Sequence, residues 1–258
     1  MLSRQLTFLT KLTSLTLVGS FIFFNSPHLL KAEIINSSIK TKRQEKNSSR
    51  NGLPVNRIAG GSRSSCLANN HRLVALVPEE NVNLTASNSP KLFFYIPATK
   101  NPYQIEFVLR NQNDELVYET SIDTNQQSGI VSISVPNSVN FKGLEVNQNY
   151  HWYLSMICDP MRRSHDLVVE GWIRRIELET AFKKQLQNSN QIKQAELYHQ
   201  KGIWHDALAA LAEEPDASQW SELLDSIGLE DLAQQPLIQN AHYAPWLHRD
   251  RISTYTQQ

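Results

Sequence analysis

What this sequence has little of narrows its function before any motif is weighed. It carries no excess charge, with 25 Lys and Arg residues against 25 Asp and Glu. A nucleic-acid binder presents a basic surplus on one face, so that class is set aside. Cysteine is scarce. Only Cys66 and Cys158 occur, and neither has a His or second Cys at ligand spacing, which argues against a zinc module. Glycine is thin as well, and Arg57–Cys66 (RIAGGSRSSC) is the one Gly-rich stretch. It lacks the Gly-Lys-Ser/Thr ending of a P-loop and the spacing of a dinucleotide fingerprint. Amides around Gly60-Gly61, with Arg57 and Arg63 nearby, offer an anion cradle, but a tight turn leading to Cys66 is the simpler reading.

Long apolar runs are also missing. Leu12–Phe24 (LTSLTLVGSFIFF) falls short of the roughly 20 residues that span a bilayer. With Arg4 and Lys11 before it and Leu30-Lys31-Ala32 after it, residues 1–32 read as an export signal. The alternative is an uncleaved amphiphilic anchor. Loss of Arg4, Lys11 and Lys31 leaves 22 basic residues against 25 acidic ones, a mildly acidic chain without a transmembrane helix. In an exported protein Cys66 and Cys158 are expected to form one disulfide, separate buried thiols being the alternative.

What is present divides into blocks. Residues 33–56 are polar and Ser/Asn/Lys-rich, a linker. Residues 57–178 hold short strand-like runs between turn signals: Leu73–Val77, Lys91–Ile96, Gln104–Arg110, Glu115–Ile122, Gly129–Val135, Tyr150–Cys158 and Leu167–Leu178. Ile105, Phe107 and Leu109 share one face, opposed by Gln104, Glu106 and Val108, and Val131, Ile133 and Val135 alternate with Ser132 and Ser134. Period-two patterning with Pro at the ends of runs predicts an antiparallel β-sandwich. Residues 179–235 turn helical, with helices over Ala181–Gln200, His205–Ala212, Trp220–Ile227 and Leu229–Ala233. Residues 236–258 read as a loosely ordered tail. The triplets at Asn36, Asn47 and Asn83 match the glycosylation acceptor, which matters only in a eukaryotic secretory host.

Two local patterns resemble known architecture. Leu144, followed six residues later by Tyr150 and the alternating Trp152, Leu154, Met156 and Cys158, resembles the tyrosine corner of immunoglobulin-like and fibronectin type III sandwiches. That implies a core Trp152 and a Tyr150 hydroxyl bonded to backbone upstream. AELYHQKGIWHDALAALAEEP resembles the turn of a tetratricopeptide repeat through Ala195, Tyr198, Gly202, Trp204, Ala207, Leu208 and Pro215. A single unit cannot stand alone, so the hairpin must pack on the sheets. Such packing also accounts for Phe93, Phe94 and Tyr95, which cannot all face one core.

RIAGGSRSSC, LVALVPE (Leu73–Glu79), FFYIP with EFVL (Phe93–Pro97, Glu106–Leu109), NYHWYLSMICDPMRRSHDLVVEGWIRR (Asn149–Arg175) and the Gly202–Leu208 hairpin together resemble a cyanobacterial exported family, domain of unknown function 928, from Arg57 to Gln235. The resemblance implies export to the periplasm, cell surface or medium and a cell-envelope role. It supplies no activity and no catalytic residues.

No catalytic, cofactor-binding or metal constellation emerges. Ser164-His165-Asp166 has the residue types of a triad, but adjacent positions cannot converge on one reacting atom, so it reads as a turn. His199, His205 and Asp206 straddle the helical turn without a further ligand. Arg162, Arg163, Arg174 and Arg175 flank the hairpin Cys158–Arg175 and, if its ends meet, form a basic dock for an anionic polymer, lipid headgroup or acidic partner. Trp172 is a candidate stacking residue. The expectation is a non-enzymatic envelope interaction module. The alternatives are a small-ligand or carbohydrate-binding sandwich and, behind it, a hydrolase.

Overall fold

The computed structural model of the chain separates into two compact units, residues 1–48 and 49–258. It describes residues 53–244 except 54, 60–65, 68–71, 80–81, 125, 139–140, 214–217 and 239–242, all in the second unit. The signal, most of the linker, Gly60-Gly61, Arg63, and the triplets at Asn36 and Asn47 lie outside the described residues.

Alternation sets the strands. They are β1 (Ile58–Ala59), β2 (Leu73–Ala75), β3 (Asn83–Thr85), β4 (Lys91–Ile96), β5 (Gln104–Asn111) and β6 (Leu116–Asp123). After these come β7 (Gly129–Ser134), β8 (Asn149–Ile157), β9 (Leu167–Arg175), β10 (Leu237–Ile238) and β11 (Tyr243–Ala244). Four helices lie between β9 and β10: α1 (Thr180–Gln187), α2 (Gln191–Gln200), α3 (Trp204–Leu211) and α4 (Ser218–Asp225). The chain is mainly β. One sheet runs β1-β2-β4-β7-β10 and the other β11-β6-β5-β8-β9-β3.

The pairing is not purely antiparallel. β3 joins β9 in parallel, Asn83 opposite Ile173, and β10 joins β7 in parallel, Leu237 opposite Ile130. Both strands arrive after long connections rather than tight turns, and residue alternation reports which face is buried, not which way a neighbour runs. The tail contributes to both sheets, since β10 and β11 lie beyond residue 235. Asn83 is 3% exposed within β3, which removes it as a glycan acceptor.

The inner faces meet through aromatic edges. Phe94 packs against Phe107 at 6.2 Å and Trp152 at 5.5 Å between ring centroids, both edge-on. Trp152 is fully buried. An aromatic of that size removes roughly 150–250 Å² from water, a gross transfer term of about 4–6 kcal/mol. Gly171 faces it across the β8–β9 pair, and a Cβ there would come within 2.5 Å of the indole, so no side chain fits. At the entry to β8 the Tyr150 hydroxyl accepts a hydrogen bond from the Glu145 amide at 3.1 Å. Cys66 and Cys158 are joined, Cα atoms 5.4 Å apart, tying the chain before β2 to the end of β8.

α3 and α4 cover the other side of the first sheet. Phe93 and Phe94 point oppositely, and Phe93 meets Trp220 of α4 at 6.4 Å. Trp204 Nε1 of α3 donates to the Leu76 carbonyl at 2.8 Å. Asp206 accepts from Thr85 Oγ1 at 2.7 Å and from the Ala86 amide at 3.0 Å, pinning α3 to the end of β3. The single helix expected over Ala181–Gln200 is broken at Asn188–Asn190. There Asn190 turns outward and its side chain caps α2 by accepting from the Lys193 amide at 2.9 Å. Gly202, at φ +70°, makes the short α2–α3 turn.

Candidate functional site

The basic quartet does not assemble. β8 and β9 pair from Asn149–Arg174 to Met156–Leu167. Arg162 and Arg163 therefore sit at the turn, and Arg174 and Arg175 about 25 Å away at the far end of β9, at roughly 3.3 Å per residue. The turn pair is internally neutralised. Arg162 bonds Asp159 at 2.7 Å, while Arg163 bonds Asp166 at 2.5 Å and Glu106 at 2.7 Å. The hydrogen bonds that Arg163 donates to Asp166 and Glu106 raise its pKa, and the bond from Arg162 lowers that of Asp159. Ser164 and His165 belong to a single 3₁₀ turn there. Arg57 is committed too, to Glu79 and to the carbonyls of Val77 and Ile227.

Trp172 lies on the outer face of the second sheet, half-buried, stacked on His151 at 4.2 Å with 16° between ring planes. Tyr153 also meets the imidazole, tilted at 4.1 Å between centroids, and its hydroxyl is 2.7 Å from His151 Nδ1. His151 Nε2 lies 3.1 Å from Glu170 Oε2, close enough for attraction but too oblique for a well-aligned hydrogen bond. Burial lowers the His151 pKa against the opposing pull of Glu170. The consistent assignment is a neutral ring, with Nε2–H toward Glu170 and Nδ1 accepting from Tyr153. Burial raises the Tyr153 pKa, so the phenol stays protonated. The order Tyr–His–Glu copies a nucleophile, base and orienter, with Trp172 stacked on the base. His-x-Tyr on one strand and Glu-x-Trp on the next were the available signals, since period two puts all four residues on one face.

His205 is fully buried on α3 with neither ring nitrogen hydrogen-bonded, and burial pulls its pKa down to about 3. His199 lies apart from it, lining a 260 Å³ hollow with Ala195, Leu211 and Leu223.

A larger concavity opens where β5, β8 and β9 end beside Arg175. The groove has a volume of about 710 Å³. Its wall comes from the β5–β6 turn (Asn111, Gln112, Asn113), the arm Phe141–Glu145, Gln148, Tyr150 and Arg175. The Tyr150–Glu145 bond fixes the arm, and Asn111 shapes the turn by accepting from the Asn113 and Glu115 amides at 2.9 and 3.0 Å. Arg175 Nη1 donates to the Leu144 carbonyl at 2.9 Å, its buried Nε has no partner, and no carboxylate pairs with the guanidinium among the described residues. Glu177, two residues on, is held by Lys183, which lowers its pKa. The side chains of Gln112, Asn113, Lys142 and Gln148 likewise make no hydrogen bond or ion pair among the described residues. A concave wall of unused donors and acceptors around one cation is equipped to hold a polar ligand. Sequence reading reached Arg175 alone, because the wall gathers four segments from residue 111 to residue 175.

No curated protein matches the chain. A family model does, over residues 58–237, which spans both sheets' principal strands and all four helices, and the chain accordingly belongs to the family described as Domain of Unknown Function (DUF928).

Proposed function

We propose that the protein is an exported, non-enzymatic binding module of the bacterial cell envelope, with the groove beside Arg175 as its ligand seat. The observation that carries the reading is the convergence of unpartnered polar groups on that open concavity, on a frame tied by a disulfide and a hydrogen-bonded Tyr150. A disulfide with one half buried and the other partly buried suits an oxidising compartment, which supports export. The β2-β4-β7 order opposite β6-β5-β8-β9, with Tyr150 bonded five residues upstream, supports an immunoglobulin- or fibronectin III-like sandwich as the frame. The α2–α3 hairpin, closed at Gly202 and burying Ala195 and Ala207, supports a tetratricopeptide-like unit used for packing.

A carbohydrate seat on Trp172 is less favoured, because one face of that ring is already stacked on His151. The hydrolase reading draws on the Tyr153–His151–Glu170 series and is less favoured because Trp172 stacks on the His151 ring that would act as base. Immobilised mature protein should capture material from a native envelope extract, and Asn113→Trp, which fills the groove from an exposed turn, should abolish capture. Capture that survives Asn113→Trp but fails in Trp172→Ala moves the seat to the outer face. No capture at all overturns the module reading.

A further inference from the structure

We infer that the groove binds an acidic saccharide, gripping a carboxylate with Arg175 and Lys142 and hydroxyl groups with Gln112, Asn113 and Gln148; this rests on the groove being the module's ligand seat. Arg175 is the key. Its Nη1 is anchored on the Leu144 carbonyl and its Nε is buried, so the guanidinium is held in place before a ligand arrives and offers the groove its Nη groups. A positioned guanidinium with no internal carboxylate is a prepared receptor for an external one, since its planar donors match two carboxylate oxygens. Lys142 lines the same wall, exposed and unpaired. Against these two cations stands one acid, Glu145, so the lining is net positive while the chain as a whole is neutral.

The rest of the wall suits a sugar better than a lipid or a peptide strand. Amide side chains donate and accept in the paired fashion that vicinal hydroxyls require. Phe141, half-buried, offers one apolar flank to the C–H face of a ring. The hollow is open rather than slot-like, which leaves room for a chain to enter and leave. The described residues of the lining are mostly polar or charged and provide no continuous apolar floor for an acyl chain or an apolar side-chain anchor.

Tetragalacturonate, its methyl-esterified counterpart and tetraglutamate are the probes, titrated calorimetrically against the full mature chain at low salt. The acid oligosaccharide should bind. Its ester and tetraglutamate should each bind at least about tenfold more weakly, and the affinity should fall as salt is raised. Arg175→Gln should cost about tenfold or more and Arg175→Lys less. Because Arg175 also braces Leu144, the exposed positions provide a second reading: Lys142→Gln should weaken binding about threefold, and Glu145→Gln should tighten it by a similar factor. Equal binding of acid and ester overturns the anion assignment, and equal binding of tetraglutamate overturns the saccharide. If neither sugar binds while the protein still captures envelope material, this proposal falls and the module stands; if capture fails as well, both fall.

Discussion

The Tyr150 hydroxyl accepts from the Glu145 amide, 3.1 Å away and five residues back, and thereby sets the arm that walls the groove. Tyr150 itself is 4% exposed and lines the groove at its base. One hydrogen bond thus belongs to both the frame and the site. Tyr150→Phe keeps the ring and orphans the amide, so it should cost about 1–2 kcal/mol in urea unfolding. It should also weaken groove binding, because the arm loses its tether. Unchanged stability in the variant would show that water replaces the hydroxyl without loss.

Gly171 and Trp152 are a lock of a different kind. A methyl at Gly171 would stand 2.5 Å from the indole ring, deep inside the second sheet where nothing can move aside cheaply. Gly171→Ala should therefore lower stability by about 1–3 kcal/mol, the ordinary range for overpacking a tight core. Trp152→Phe makes room at the cost of a cavity. Combining the two should be less damaging than the sum of the single changes, a coupling that thermal melts of the four proteins would resolve. Strict additivity would mean that the close approach is relieved by backbone shift instead.

Cys66 and Cys158, 92 residues apart in sequence, close a loop that contains β2 to β8. Cross-linking so long a loop restricts the unfolded chain and should contribute roughly 3–5 kcal/mol. Reduction, or the double change to Ser, should shift the urea midpoint down without altering the groove's affinity, since the disulfide sits at the opposite end of β8 from Tyr150. A free-thiol assay on the native protein that finds two reactive thiols would contradict the linkage.

The parts of this architecture that were readable in advance are those governed by a local period. Ile105, Phe107 and Leu109 alternate because one face of β5 is buried, and the observed strand runs from Gln104 to Asn111. β8 likewise begins at Asn149, beside the Tyr150 that marks it. Strands of two or three residues carry no period; β2 was legible only because it lies in the apolar run Leu73–Val77, whereas β1, β3, β10 and β11 were invisible, and with them the parallel pairings. The arginines show the same limit at the level of the site. Proximity in sequence grouped Arg162, Arg163, Arg174 and Arg175, but a hairpin sends the two ends of its second strand apart, and only Arg175 reaches the groove. Gln112, Lys142 and Gln148 meet it through turns whose geometry no periodicity encodes.

His205 gives the fold a pH dependence with a definite sign. Burial holds its folded pKa near 3, below the usual value of 6.5, and neither ring nitrogen has a hydrogen-bond partner. The unfolded chain therefore binds a proton more readily than the native one between those values. Stability is full above about pH 6.5 and falls as the pH drops toward 3. At about 1.4 kcal/mol per pH unit, the loss across the window is on the order of 3–5 kcal/mol. Asp206, the next residue, acts in the opposite sense. Burial raises its pKa despite hydrogen bonds from Thr85 and Ala86, so its contribution is present at low pH and lost as the pH rises through the raised value. Asp206→Asn should thus steepen the acid decline, whereas His205→Leu should flatten it, as urea midpoints measured between pH 4 and 8 would show. A His205→Leu profile that still falls as steeply as the parent's would move the origin of the acid sensitivity away from α3.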